Sequence, residues 1–338
     1  MNRFDWNWKL SDVKQEKPVK VFSCFACGGG SCMGYKRAGF EVLGCVEIDP
    51  VINEMYKKNL NPKYNYCMDL REFNKLEEIP EELIGVDILD GSPPCTTFSS
   101  AGKREETWGK EKKFREGQAT QTLDDLFFVF LDTVEKLKPR VVIAENVSGL
   151  IKGKAKGYVH EIVMRFKELG YTVQMFHLNS AFMDVPQARH RVFFVATREN
   201  KPALSLRFNN DIIPFGKVRT EHGVPLNGGT VIKNLADAAI EGETTLAETA
   251  KRNAGEKNKY FTQIVDWDKD VCRTIESSSR HIRGCDKMLM SDEDIRRAQT
   301  FPEDYDFCGN DPCYVCGMSV PPNMMANIAT EVYEQWLK

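Results

Sequence analysis

Between Val19 and about Ala196, short apolar runs alternate with stretches whose apolar positions recur at helical spacing. The runs predict strands over Val19–Phe25, Glu41–Glu47, Val86–Leu89, Val141–Ala144, Tyr171–Leu178 and Val192–Ala196, with a further strand-like stretch ending at Cys67–Leu70. The periodic stretches predict helices over Ser31–Ala38, Pro50–Leu60, Leu123–Leu137 and Val159–Leu169. Gly39, Pro50, Pro139 and Gly170 punctuate them where helices start or stop. Strands and helices alternating at this length predict an α/β fold, Rossmann-like, with a doubly wound, mostly parallel sheet.

The alternation breaks after Arg198. Residues 199–289 are rich in Gly, Asn, Thr and basic residues, with irregular apolar runs, and read as a second, smaller domain. Helical spacing returns at Ser291–Thr300 and Asn323–Leu337, so residues 19–198 plus 290–338 are expected to form the main domain. Residues 1–18 are polar and aperiodic and read as a loosely ordered leader.

Composition narrows the class. The chain has 338 residues, 42% hydrophobic and 28% charged, as in a globular protein with a sizeable core. No apolar run approaches the ~20 residues needed to span a bilayer, and no signal-peptide pattern opens the chain. A cytoplasmic, monomeric protein with no membrane partner is expected. The eleven cysteines are then expected to be reduced, mostly as small buried hydrophobes. A net charge of −3 argues against a protein that coats nucleic acid indiscriminately, and leaves room for a local basic cleft.

Five strand ends carry candidate chemistry. The first strand runs into Phe25-Ala26-Cys27-Gly28-Gly29-Gly30, where glycines let backbone approach a ligand at a helix N-terminus. Glu47 closes the second strand, where an acid can accept from ribose hydroxyls, and Asp69 follows the next. Gly91-Ser92-Pro93-Pro94-Cys95 places a thiol just past another strand. Glu145-Asn146-Val147 places a carboxylate past the next, so a nucleophile and an acid could face one substrate.

Together with Gln187-Ala188-Arg189-His190-Arg191, Gln299-Thr300-Phe301-Pro302 and Gly317-Met318-Ser319-Val320-Pro321-Pro322, these pieces stand in the order of the DNA (cytosine-5)-methyltransferase family, which the chain resembles over residues 19–198 and about 271–330. The resemblance implies methyl transfer from S-adenosylmethionine to C5 of a flipped-out cytosine in a specific duplex DNA sequence, leaving S-adenosylhomocysteine. It implies Cys95 as the nucleophile that adds to C6. Glu145 would be the acid at N3, with a raised pKa so that it carries a proton near neutrality. Arg191 and Arg189 would be the cations that hold the base and a phosphate. For the cofactor it implies Phe25 stacking on adenine, Glu47 on the ribose, Asp69 on the adenine amine, and Gly28 and Gly29 against the methionine portion. Cys27, Ile48, Leu70, Pro93, Leu126, Met318, Ser319 and Val320 complete the implied cofactor set.

Residues 199–289 are implied as the target-recognition domain, with Arg219, Arg252, Arg273, Arg280 and Arg283 as DNA contacts, joined by Gln187. Lys233 is a further candidate. Ser99–Gln118 reads as a lid, with Ser99, Lys103 and Arg104 touching DNA. A cognate restriction endonuclease is a candidate partner, and a bacterial or phage-infected cell the expected setting. Cys27, Thr96 and Met318 depart from the family's usual glycine, glutamine and asparagine. Two cysteine sets, Cys24, Cys27, Cys32 and Cys285, Cys308, Cys313, Cys316, have spacings that suggest zinc. Both overlap motifs that need no metal, so none is expected. Two other readings compete: a tRNA cytosine-5 methyltransferase, whose characteristic Cys-Phe-Thr motif is absent here, and a catalytically silent DNA-binding protein, which would have lost Cys95 or Glu145.

Overall fold

A computed structural model describes residues 3–94, 111–112, 121–122, 126–151, 156–254 and 261–338. Contacts divide the chain into two compact units: residues 13–178, 190–207 and 326–338 form one, and residues 1–12, 179–189 and 208–325 the other.

The first unit is built on a seven-stranded sheet. Its elements are β1 (Lys20–Cys24), α1 (Gly30–Arg37), β2 (Glu41–Glu47), α2 (Pro50–Leu60), β3 (Tyr64–Cys67), α3 (Leu70–Lys75), β4 (Ile88–Gly91), α4 (Leu126–Leu137), β5 (Val141–Val147), α5 (Lys156–Glu168), β6 (Thr172–Asn179) and β7 (His190–Thr197). The strand order is β3-β2-β1-β4-β5-β7-β6. β3, β2, β1, β4 and β5 run parallel, so their C-terminal ends share one edge. β7 pairs antiparallel with β5, Arg191 opposite Val147. An antiparallel strand delivers its first residues, not its last, to that edge, which brings Arg191 there.

The α/β architecture follows the predicted alternation, and two strands run further than their apolar cores. β5 extends through Val147 because its residues stay buried to Asn146, with β7 covering the polar triplet. Glu145 is therefore inside a paired strand, where its backbone is fixed. Helix α4 is apolar nearly all round and buries Phe127, Phe130, Leu131, Val134 and Leu137 against the sheet. Each such side chain contributes about 1.5–3 kcal/mol on burial. Phe127 meets Phe194 of β7 edge-on, ring centroids 5.2 Å apart. Gly91 ends β4 directly under this helix: a Cβ there would stand 2.4 Å from the Phe130 ring.

The second unit holds short helices, α6 (Val231–Ala238), α7 (Leu246–Ala254), α8 (Asp292–Ala298) and α9 (Pro312–Met318), and paired two-residue strands. Helix α10 (Pro322–Val332) begins in this unit, and its residues from Ala326 on count with the sheet. A small core of Ala236, Leu246, Val265, Trp267 and Ile282 sits among α6, α7 and the strands Val265–Asp266 and Ile282–Arg283. The unit is wider than the expected 199–289 segment: it takes in 290–325, while 199–207 stay with the sheet. Residues 3–11 pack here too, unlike the expected loose leader. Trp8 is buried and its Nε1 donates to the Thr300 carbonyl at 2.9 Å. Asp184 accepts from the Arg3 and Phe4 amides, and Asp304 from those of Leu10 and Ser11. Carboxylates holding irregular backbone leave no hydrophobic period to read.

Candidate active site

The cofactor side starts at the β1–α1 loop. Phe25 (φ 57°), Cys27 (φ 47°) and Gly29 (φ 80°) are all left-handed. Two of the three carry side chains, a conformation that costs on the order of 1–3 kcal/mol per residue and persists only when its surroundings impose it. Glu47 helps to hold it: its Oε2 accepts from the Cys27 amide at 2.8 Å, and its Oε1 accepts from the Asp49 amide after β2 at 3.0 Å. Burial pushes the Glu47 carboxyl up, against the pull of these amides. Gly29 cannot be replaced cheaply, since its φ of 80° strains any side chain, and a Cβ would also press on the Leu60 methyl at 2.4 Å.

Beside the loop, Phe25, Val46, Ile48, Met68, Asp69, Leu70 and Leu126 line one cleft. Five predicted cofactor residues, Phe25, Ile48, Asp69, Leu70 and, from α4, Leu126, thus line it together. Val46 and Met68 were missed; both flank singled-out acids, and position i±1 was the available signal. Asp69 caps α3 through the Arg71 amide at 2.8 Å and pairs with the Arg71 guanidinium at 3.2 Å.

At the same sheet edge, Glu145 Oε1 lies 2.8 Å from Arg191 Nε, both side chains largely buried. Burial lowers the Arg191 pKa, opposed by the Glu145 charge. Arg191 also donates to the His190 carbonyl at 2.8 Å. Asn146, not singled out from the sequence, donates to the Pro93 carbonyl at 3.2 Å while its Oδ1 accepts from the Val147 amide at 2.8 Å. It ties the Pro-Pro segment to β5 two residues before Cys95. Cys95, Ser99, Lys103 and Arg104 lie outside the described residues, as does most of the expected lid; only the strand pair Glu111–Lys112 and Gln121–Thr122 of that region is described.

A family model described as C-5 cytosine-specific DNA methylase matches residues 19–287. The chain belongs to that family. It is 28% identical over 357 residues to the Type II methyltransferase M.NgoPII of Neisseria gonorrhoeae, covering 93% of this chain and 95% of that relative. Against M.Sau96I of Staphylococcus aureus it is 36% identical over 206 residues, 59% of this chain and 44% of the relative. The solved structure of Spodoptera frugiperda DNMT2 shares the fold, with a TM-score of 0.63 at 16% identity over 93% of this chain and 99% of that one.

As a DNA cytosine-5 methyltransferase the protein takes its methyl group from S-adenosylmethionine. The site suits that group: a largely apolar cleft for an aromatic ring, with Asp69 in its lining, and a left-handed glycine in the neighbouring loop.

The other predicted residues belong to the second unit. Arg189 is buried, donating to the carbonyls of Gly317 at 2.9 Å and Ile275 at 3.3 Å. Ser319 Oγ donates to the Val315 carbonyl at 2.8 Å, Val320 is buried, and Met318 is 44% exposed. Gln187, read as a DNA contact, is fully buried; its amide serves Gln299 and the Ile275 backbone. Arg283 is buried as well, held by Asp294 at 3.2 Å and Asp286 at 2.7 Å. Arg219 grips Asp268 with two bonds, Arg252 holds Glu243, Arg273 holds Asp266, and Arg280 holds Asp292 and Asp311. Lys233 pairs with Asp237. Arg219, Arg252, Arg273, Arg280, Arg283 and Lys233 are thus each paired with a carboxylate, which cation positions in a sequence do not reveal.

Among the described residues, the cysteine sets of the zinc reading do not gather as ligands; Asp266, Cys272 and His281 do. His281 Nδ1 stands 2.6 Å from Asp266 Oδ2, a hydrogen bond, closer than two ligand atoms on one tetrahedral ion.

Proposed function

We propose that the protein methylates C5 of a flipped-out cytosine in a specific duplex DNA sequence, through a covalent bond between Cys95 and C6. Cytosine C5 is a poor nucleophile. Adding the thiolate to C6 shifts the ring's electrons so that C5 becomes an enamine carbon able to take the methyl group. The sulfonium donor, when bound, supplies that group and leaves as a neutral thioether. Loss of the C5 proton then restores the double bond and expels the thiolate.

The observation that carries the reading is the Glu145–Arg191 pair, 2.8 Å apart at the edge where β4 leads to Cys95. A carboxyl beside a cation can hold the ring's N3 edge while charge builds there, and Arg191 keeps its orientation. Asn146 supports it by tethering Pro93. Glu47, Asp69 and Phe25 would hold the ribose, the adenine amine and the adenine ring. Flipping costs a few kcal/mol, which DNA contacts must offset. Recognition falls to residues 199–289, whose arginines would exchange carboxylates for phosphates. The relatives named as Type II enzymes support a cognate restriction endonuclease and a bacterial or phage-infected host cell.

The test is radiolabelled methyl transfer to duplex DNA. The full chain is expected to label it, and Cys95→Ala to abolish transfer while keeping DNA binding; turnover by that variant would overturn the assignment. A duplex carrying 5-fluorocytosine at the target should trap the protein as a band of reduced mobility on a denaturing gel, because fluorine cannot leave as a proton does.

A further inference from the structure

Asp90 is a buried carboxyl that this chemistry does not use. It lies on β4, one residue before Gly91, and is 1% exposed. Its Oδ2 accepts from Ser23 Oγ at 2.7 Å and its Oδ1 from Tyr35 Oη at 3.0 Å. Both partners are neutral, and among the described residues no cation pairs with it. Ser23 stands opposite Asp90 in the β1–β4 register, two residues before Phe25. Tyr35 belongs to α1, the helix into which the cofactor loop opens. The strand that enters the loop, the helix that leaves it and the strand that leads to Cys95 therefore converge on one carboxyl.

Its other neighbours are accounted for. Burial pushes the Cys24 and Cys32 thiols up, Cys32 to about 12, and pushes the Tyr35 phenol well up, so none of these carries charge near neutrality. From β5, Glu145 adds a negative charge, and Arg191 faces Glu145. Asp90 itself is raised to about 7, mainly by burial and further by Glu145, against the two hydroxyl bonds. A buried acid poised there with no counter-ion changes charge readily when a cation arrives.

We propose that Asp90 is a buried counter-charge for the sulfonium of the methyl donor, and that it discriminates the cationic donor from its neutral thioether product. Binding the donor expels the Asp90 proton to solvent; once the methyl group has left, the carboxylate regains a proton and the product loses its electrostatic hold. This rests on the methyltransferase reading, because it takes the sulfonium as the ligand. Asp90 touches no reacting atom and is a positioning residue.

The experiment is calorimetry on the full chain without DNA, titrating S-adenosylmethionine and S-adenosylhomocysteine at pH 6, 7 and 8 in two buffers of different ionisation enthalpy. The wild type is expected to release about half a proton more with the donor than with the product at pH 7. Its preference for the donor should rise about tenfold from pH 6 to pH 8. Asp90→Asn should abolish the proton difference and leave the preference flat within about twofold. Tyr35→Phe keeps the carboxyl and removes one donor, so its inflection should move to higher pH; if the asparagine variant fails to fold, an unmoved inflection here overturns the proposal. Equal proton counts for the two ligands in the wild type, or unchanged pH dependence in Asp90→Asn, would also overturn it. If neither ligand binds, the methyltransferase reading falls and this inference with it; binding without linked protons removes this inference alone.

Discussion

Glu47 was read as a partner for ribose hydroxyls, and in the free protein its two oxygens also hold the loop amides of Cys27 and Asp49. A carboxylate has lone pairs for both duties. Glu47→Gln turns one acceptor into a donor facing an amide. We expect about 2 kcal/mol of lost stability and a cofactor affinity at least tenfold weaker, read by thermal melting and calorimetry. Asp90 gives a prediction of opposite character. Its carboxyl is raised from 3.8 to about 7 in the folded protein, so between those values the native state holds a proton that the unfolded chain lacks. Stability from this group is full below its unfolded pKa and falls as pH rises toward 7, by about 1.4 kcal/mol per unit. Urea midpoints at pH 5 to 8 should therefore show Asp90→Asn gaining on the wild type as pH rises; a constant gap would contradict the assignment. Phe25, Glu47, Asp69 and Glu145 could be singled out because each ends or follows an apolar run, and Arg191 only through the Gln187–Arg191 motif of the resemblance. Asp90 and Asn146 could not, because an acid inside an apolar run and an amide inside a motif give no sign of what they will bond.

Most helices and strands of the sheet unit were legible from period, and Glu41–Glu47 and Pro50–Leu60 match to the residue, whereas the short helix Leu70–Lys75 gave no periodic signal. The misses lie where tertiary pairing carries a strand past its apolar core, as β7 does for Glu145. Gly91 shows how tightly β4 and α4 meet: Gly91→Ala would push a methyl group into the Phe130 ring. A cost of about 1–3 kcal/mol is expected from denaturant unfolding, and pairing it with Phe130→Leu should recover part of it. In the other unit, Arg283 joins the Ile282–Arg283 strand to Asp286, Asp294 and the Thr220 and Glu221 carbonyls. Removing it strands buried Asp294, and Arg283→Met should cost about 3–5 kcal/mol, whereas exposed Arg252→Ala, whose ion pair is screened by solvent, should leave the denaturant midpoint essentially unchanged.

Across the molecule, 46 lysines and arginines face 49 acids. Since Arg219, Arg252, Arg273, Arg280 and Arg283 are each matched by a carboxylate, few phosphates would be neutralised outright by residues 199–289. Non-specific duplex binding should fall with log salt at a slope of about −2 to −4; fluorescence anisotropy from 50 to 200 mM salt would measure it, and a slope steeper than about −6 would mean that the internal pairs open on DNA. The break in periodicity after Arg198 predicts a second domain from residue 199, whereas contacts keep residues 190–207 with the sheet. Residues 290–325 were grouped with the main domain because helical spacing returns at Ser291–Thr300 and Asn323–Leu337, while the irregular 3–11 segment gave no reason to be grouped at all.

The reversed direction of β7 has a consequence for how this chain can change length. Side chains alternate across a strand, so one residue added between Arg191 and Val192 would turn Arg191 to the opposite side of the sheet and separate it from Glu145. Additions after Thr197 emerge at the far edge and leave that pair untouched. Among natural variants, gains and losses should accumulate in residues 199–207 and be absent from the two positions around Arg191.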